Sequence, residues 1–573
     1  MSSAHGTGLR FGILADSGCL QRWQLACVEQ LTALHYATAA VLLVTDDARV
    51  SVAGGSQLFH WLWGNPAAGS QRYRVELTGR LAALPVIRTR TTRSTNGQSV
   101  VDAETIAAIQ KCDLDFIICI AEEVTASVRL LVDCARYGVW AFAFGDWETF
   151  RGKPAGFWEI FEGASVTGAM LVRLTEDPDS VIVLRSGYLR TKRMSYRQNS
   201  DHVLSRCTHW PAQACHDIRQ STRDTGRVPA PATLHSTARW RSPPNALQIL
   251  VFAWKILAFA VAAGWRSLLR HDQWNVGIVP QPIQDFLDPA RRRPDTHWLP
   301  ARPRREFIAD PFGLLRDNQL TILCEHLDYR SGRGVIVATT DPDGTAFVPV
   351  DIGPRPAVHL SYPFLFEADG HNYCVPESHE AGEVALYVAE QLPDKWIKVA
   401  TLLENIAVVD STLFQYGDHW WLAAADIGAS APSADLFLWY STALTGPWKP
   451  HGGNPVKTDV RSARPGGTPF SVNGILYRPA MDCSETYGGQ IVINRVLDLT
   501  PTTFSEEIAT TVAPNPRSEY PDGLHTLSAV GNITLIDGKR SVFVPAELWR
   551  LLTRPIQALS NKGAHWLRSR RTQ

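Results

Sequence analysis

Glu325, Glu377 and Asp426 each stand fourteen positions beyond the start of a similar apolar segment, and Asp482 stands thirteen beyond a fourth. Just ahead of such segments come Asp310, Tyr362, Asp410 with Ser411, Thr468 and His525. Carboxyls gathered on one cavity are what glycosidic chemistry requires: one keeps a proton to assist departure, another is ionised as base or nucleophile, and their separation sets the stereochemical course. Asp310, Glu377 and Asp410 are the candidates for that work. Strand-end aspartates also cap turns by accepting backbone N–H bonds, and this structural role competes at every one of these positions, including Glu325 and Asp426. Arg464 and Arg478 fall near Asp482 and Tyr487 in RSARPGGTPF and LYRPAMD. Guanidinium forks suit a phosphosugar or a uronate, although pairing with the neighbouring acids is the commoner fate of a buried arginine. Arg464, Arg478, Asp482, His525, Glu325 and Asp426 are therefore the substrate-binding candidates.

What would bring these residues together is a repeat. PFGLLRDNQLTIL from Pro311, PFLFEADGHNYCV from Pro363, TLFQYGDHWWLAA from Thr412, PFSVNGILYRPAM from Pro469 and TLSAVGNITLIDG from Thr526 share one plan, at intervals of 52, 49, 57 and 57 residues. Each is an apolar run, a polar turn and a second apolar run; GVIVATT, EVALYVAE, DLFLWYST and GQIVINRV supply third strands. A period of this length, built from short strands, predicts an all-β five-bladed β-propeller over 274–545, its innermost strands lining a common axis. Tryptophans at 396, 420, 421, 439 and 448 suit either stacking on sugars or filling blade cores, so they decide nothing.

Residues 9–188 alternate strand-like runs (RFGILA, AAVLLVTDD, FIICIA, VWAFAFGD) with helical stretches, which predicts an α/β domain with a mostly parallel sheet. Residues 189–245 are crowded with Arg, Ser, Thr, Pro and His and read as a linker or irregular segment. Ala246–Leu269 is an apolar helix broken by Gln248, Lys255 and Arg266; packing inside the protein, lying in a membrane interface and crossing a bilayer are its three readings. Residues 546–573 form a basic tail. Lys plus Arg and Asp plus Glu both number 56, so no global field draws the chain to nucleic acid, and no nucleic-acid partner is expected. The ten cysteines include no CxxC pair, which speaks against structural zinc and a disulfide framework; no metal is expected, and no cofactor is named. The first residues lack a secretory pattern, which predicts a cytoplasmic protein, membrane-associated if Ala246–Leu269 meets lipid.

Two resemblances follow from motifs. ADPF at Ala309–Phe312, VDSTLF at Val409–Phe414, and GPW, NPV, ARPGG and LYRP between Gly446 and Asp482 resemble the five-bladed arabinanase and β-xylosidase glycoside hydrolases. More closely, the stretch from about Trp274 to Arg540 resembles the N-terminal region of plant glucosamine inositolphosphorylceramide transferases and its bacterial relatives. The hydrolase resemblance implies Asp310 as base and Asp410 as the group that tunes acidity, with Glu377 the candidate acid. The N-terminal half resembles the formyltransferase fold through Arg151-Gly152, Phe157-Trp158 and Thr167-Gly168. Ala141 and Ala143 stand where that family has Asn and His, while Asp179 falls at or near its Asp. Neither alanine can shuttle a proton or polarise a formyl group, which implies a degenerate site that binds without turnover. Together these readings point to glycan or glycolipid biosynthesis, with a carbohydrate, nucleotide-sugar or glycolipid as partner. A glycoside hydrolase, a non-enzymatic nucleotide-sugar scaffold and an amino-sugar formyltransferase are the alternatives.

Overall fold

The computed structural model describes residues 8–544 except 46–53, 65, 68, 90, 94–98, 122–125, 225–232, 293–294, 342 and 428–433. The basic tail lies outside the described residues. The chain divides into two compact units, Met1–Leu257 and Ala258–Gln573.

In the first unit, seven strands run in the order Val86–Thr89, Ala37–Thr45, Leu9–Ala15, Phe116–Cys119, Val139–Phe144, Val166–Leu174 and Ser180–Arg190. The first five are parallel, and the last two add in antiparallel fashion. The apolar runs Phe11–Ala15 and Phe116–Cys119 explain the central position of their strands, since a segment covered on both faces buries its side chains in both directions. Phe11, Ile13, Phe116, Ile117 and Ile118 are all fully buried. Chain order reverses between these two strands, which makes their carboxyl ends a switch point.

The stretch 189–245 is more ordered than its composition predicts. Tyr196–Arg206 is a helix opened by Ser195, whose hydroxyl accepts from Gln198 N, and it buries Tyr196, Val203 and Leu204. A second helix, Trp210–Asp224, buries Trp210, Ala214, Cys215 and Ile218 on one face. Its outer face carries Gln, His and Arg, so the average looked like linker while the 3.6-residue period was intact. Ala246–Leu269 is one helix. Gln248, read as an interruption, instead closes a capping box: Asn245 N donates to Gln248 Oε1 and Gln248 N to Asn245 Oδ1, both at 2.9 Å.

The second unit has a propeller-like arrangement of antiparallel sheets. The first sheet comprises Glu306–Arg316, Gln319–Asp328, Arg333–Thr339 and Val348–Pro349; the second comprises Ser361–Ala368, His371–Glu377, Glu383–Gln391 and Lys395–Glu404. A third group is the meander Val408–Tyr416, His419–Asp426 and Asp435–Ser441, edged by Lys449–Pro450 and Lys457–Asp459. Phe470–Val472, Ile475–Asp482, Gln490–Leu499 and Phe504–Val512 form the next sheet. The closing sheet draws on both ends of the unit: Arg270–Val279 pairs with Ile533–Phe543 along its whole length, flanked by His297–Trp298 and Leu527–Val530.

Three innermost strands break register at matching points, between Ala309 and Phe312, Ser361 and Phe364, and Val409 and Thr412. Within each break one residue takes a positive φ: Asp310 at 51°, Tyr362 at 41° and Asp410 at 55°. A bulge of this kind re-aims one side chain out of the strand's alternation. These three residues are therefore equivalent, and all are buried.

Candidate functional site

The bulges aim Asp310 and Asp410 into a buried polar cluster. Asp310 Oδ2 accepts from Tyr362 N at 3.2 Å, and Oδ1 accepts from Thr526 Oγ1 at 3.2 Å with His525 Nε2 3.3 Å away. His525 Nδ1 lies 2.5 Å from Asp537 Oδ2. Asp537 also accepts three backbone amides, those of Asp310, His525 and Thr526. Glu377 Oε2 accepts from Asp410 N at 3.3 Å, and its Oε1 meets His379 Nδ1 at 2.9 Å. Asp537 and Glu377 thus do the same thing in different sheets, each binding the bulge amide of the neighbouring inner strand. Arg464 clasps Asp410 through Nε and, at 3.3 Å, Nη2; the same Nη2 donates to Tyr487 OH at 3.3 Å. His525 stacks on Trp274 with ring centroids 3.9 Å apart and meets the Tyr487 ring edge-on.

Tyr362 is the second-sheet counterpart of the two aspartates and makes a mechanical link instead. Its hydroxyl accepts from Gly467 N at 2.9 Å and lies 3.0 Å from Thr412 Oγ1. Gly467, with φ 130°, sits so close to the closing sheet that a Cβ would fall 1.9 Å from Leu527 O. This explains the second glycine of ARPGG.

Five carboxyls crowd this region with few cations, so their ionisation diverges. Burial pushes Glu325 well up, and the charges of Asp310, Glu377 and Asp410 add to it. Burial raises Asp310 too, against the pull of His525. Asp410 is pushed up to about 7 by burial in spite of Arg464. Burial also works against ionisation of Glu377, but His379 and Arg464 outweigh it and leave Glu377 below its ordinary value. His525 is raised: burial opposes its charge, and Asp537 and Asp310 prevail. His359 accepts Gly334 N at Nδ1, which leaves its proton on Nε2, 3.4 Å from Glu325 Oε1.

Of the residues singled out by sequence, the structure brings Asp310, Glu325, Glu377, Asp410, Arg464 and His525 together. Asp482 and Arg478 are committed elsewhere, and Asp426 pairs with Val408, off the matching register. Glu325 pairs with Ala309 and Glu377 with Ser361; the matching partner of Val409 is Ala425. Asp426 is one residue off, and in a strand one residue reverses the face. Asp482 caps a turn through Ser484 N and accepts from Gln490 Nε2, each at 2.9 Å. Arg478 is committed to Glu506, at 2.6 Å and 3.0 Å, and to the carbonyls of Ser462 and Ala463. It holds the fourth sheet rather than a ligand. Asp537 escaped the sequence reading because it falls outside the fourteen-residue offset; its signal was the acidic residue in LIDG. Asp310, His525 and Asp537 offer ligand atoms within 4.8 Å of one another, the spacing of a metal site. Their mutual hydrogen bonds and charges account for the same approach. A cavity of about 270 Å³ beside Phe286, Trp298 and Tyr520 includes none of the cluster residues.

In the first unit, Ala141 is buried and Ala143 half-buried on Val139–Phe144. Asp179 lies 3.0 Å from Arg151 Nη1, and the guanidinium also donates to the carbonyls of Pro178, Ser236 and Ala238. Arg151 and Asp179 thus brace a loop.

Residues 300–519 match the family model described as glucosamine inositolphosphorylceramide transferase 1, N-terminal. Glucosamine inositolphosphorylceramide transferase 1 of Oryza sativa subsp. japonica is 35% identical over 205 residues, 35% of this chain and 27% of that protein. The Arabidopsis thaliana protein of the same name is 35% identical over 206 residues, with the same coverage. The chain therefore matches about a quarter of the length of these curated relatives. Solved structures with a distant likeness include an α-L-arabinofuranosidase of Podospora anserina in complex with cellotriose (TM-score 0.31, 12% identity, 39% of this chain and 78% of that one). A family 117 glycoside hydrolase of Zobellia galactanivorans is another (TM-score 0.29, 16% identity, 41% and 84%). The family match lies wholly within the second unit and lends the formyltransferase resemblance no support.

Proposed function

We propose that the second unit is a five-bladed carbohydrate module of glycan or glycolipid biosynthesis, acting on its sugar through the cluster around Asp310, Glu377 and Asp410. One observation carries this reading: neighbouring carboxyls whose ionisation is driven apart, Glu377 held charged and Asp410 titrating near neutrality. Two carboxyls split in this way suit acid–base work at a glycosidic carbon. The split reverses the roles implied by the hydrolase resemblance: Glu377 suits the ionised partner, and Asp410 or Glu325 the proton-bearing one. Arg464 positions Asp410, and the cluster meets solvent through Tyr487, 37% exposed, and through the half-buried His379 and His359. The names of the matched relatives support a glycolipid acceptor.

A sugar-binding role without turnover is the second reading, favoured by the saturated hydrogen bonding and 4% exposure of Asp310. For the first unit we propose ligand binding at the switch point, without formyl transfer, because Ala141 and Ala143 carry no proton-moving group.

The test is incubation of the full chain with nucleotide sugars and glycolipid acceptors, and separately with aryl glycosides. Transfer that falls about a hundredfold or more in Glu377→Gln, with the melting temperature held, supports the first reading. Binding seen as a raised melting temperature, with no product, selects the second. Neither binding nor product overturns both.

A further inference from the structure

We propose that the helix Ala246–Leu269 docks this protein on the surface of a lipid bilayer, lying in the plane of the interface and not across it. The inference stands on its own observations and needs no assumption about the sugar site. Leu247, Leu250, Trp254, Leu257, Val261 and Trp265 follow one another at steps of three and four residues, so they share one face. Every one of them is more than half exposed, with Leu247 at 70% and Trp254 at 67%. Only 11% of the helix's most apolar stretch is buried, which is not how a core helix behaves.

The other face is seated. Ile249 and Phe252 are fully buried in a cluster with Phe59, Phe157, Trp158, Ile160 and Tyr196, and Phe252 stacks on Phe157 at 4.2 Å. Lys255, midway along, bonds its ammonium to Phe161 O. A helix seated along one face through Ile249, Phe252 and Lys255 offers lipid only its other face, which suits lying in the interface and not crossing it.

The surroundings of the stripe identify the occupant. A second copy or another protein would require a polar rim, and a two-helix seam would require charged residues flanking it. Here Ala258, Ala260 and Ala262 are exposed beside the stripe, and no charged residue lies between Lys255 and Arg266. The bare apolar surface is broad, carries two tryptophans, and ends at the cations Arg266 and Arg270. Indole rings at headgroup depth with cations at the margin are the chemistry of a membrane interface. Trp61, 75% exposed, adds a further indole on Gly54–Trp63, the helix that packs on Phe252 through Trp63.

Flotation of the full chain with phosphatidylcholine vesicles, with and without an anionic lipid, tests this. The wild-type chain is expected to float with the vesicles and to be released by alkaline carbonate. The double variant Leu250→Glu, Leu257→Glu alters only exposed positions; it is expected to keep its circular dichroism and melting temperature while losing about tenfold or more of vesicle binding. Wild-type protein left at the bottom of the gradient overturns the proposal, as does a folded double variant that floats equally well. Resistance to carbonate overturns the in-plane placement. A dimer broken by the same substitutions, without vesicle binding, assigns the face to a second copy and overturns the bilayer.

Discussion

Asp310, Glu325 and Asp410 retain protons more tightly in the folded chain than in the unfolded one, and His525 does likewise. Above pH 4 the unfolded chain sheds carboxyl protons that the folded cluster keeps, so each raised group contributes stability that is lost as pH rises; for Asp410 the loss runs from about 4 to about 7. Glu377 and Glu506 are lowered and work in the opposite direction, their contribution disappearing in acid. The thermal transition of the second unit should therefore lie higher near pH 5.5 than near pH 8, whereas His202 and His209 of the first unit, held neutral by burial, stabilise that unit as pH rises. Asp410→Asn, which cannot titrate, should flatten that slope; an unchanged slope would remove Asp410 as its source. The two arginines give a second contrast. Arg478→Ala leaves Glu506 buried with only Lys457 and should cost about 3–5 kcal/mol in denaturant unfolding. Arg464→Lys keeps a charge but loses the fork, and should impair the sugar chemistry more than stability. Chelation supplies a third: with hydrogen bonds holding Asp310, His525 and Asp537, EDTA should leave the melting temperature unchanged, and a drop would reveal a bound cation. Asp310 and Asp410 were legible in the sequence because bulge residues sit at fixed points of a repeat. Asp426 misled because sequence fixes spacing but not the facing direction, and aligning the third repeat one residue late turned a side chain over.

The bulged inner strands explain why secondary structure alone would have hidden the cluster. Regular alternation would send Asp310 and its neighbours to opposite faces; the left-handed residue breaks that rule once per strand. Positive φ at Tyr362 costs about 1–3 kcal/mol, recovered in part through its hydroxyl bonds to Gly467 and toward Thr412. Tyr362→Phe should accordingly destabilise the second unit by about 1–2 kcal/mol without removing any carboxyl. Gly467→Ala should do far worse, since the added methyl meets Leu527 O and the backbone is one that alanine rarely adopts. Failure of that variant to yield folded protein, or a fall in melting temperature of about 10 °C or more, is the expected result. Strands and their period could be read because hairpin turns punctuate them at even spacing. The two helices in 189–245 could not, because their apolar faces are narrow and the average composition is polar.

At the scale of the molecule, closure of the second unit depends on strands from its two ends. Arg270–Val279 and Ile533–Phe543 share ten paired positions, and Val544 N reaches Leu269 O at the foot of the long helix. Deleting residues 533–573 should leave the second unit without cooperative unfolding while the first retains its own transition, as calorimetry would show. The repeat predicted a propeller-like arrangement of antiparallel sheets; what it could not announce was that the last sheet recruits a strand from ahead of the first. That arrangement has a consequence during synthesis. The strand Arg270–Val279 leaves the ribosome long before Ile533–Phe543 exists, so its long edge, with Trp274, Val276 and Val279 still to be buried, must wait through the making of every other sheet of the second unit. Holdase chaperones should find that waiting edge on nascent chains and release it only once Phe543 has emerged.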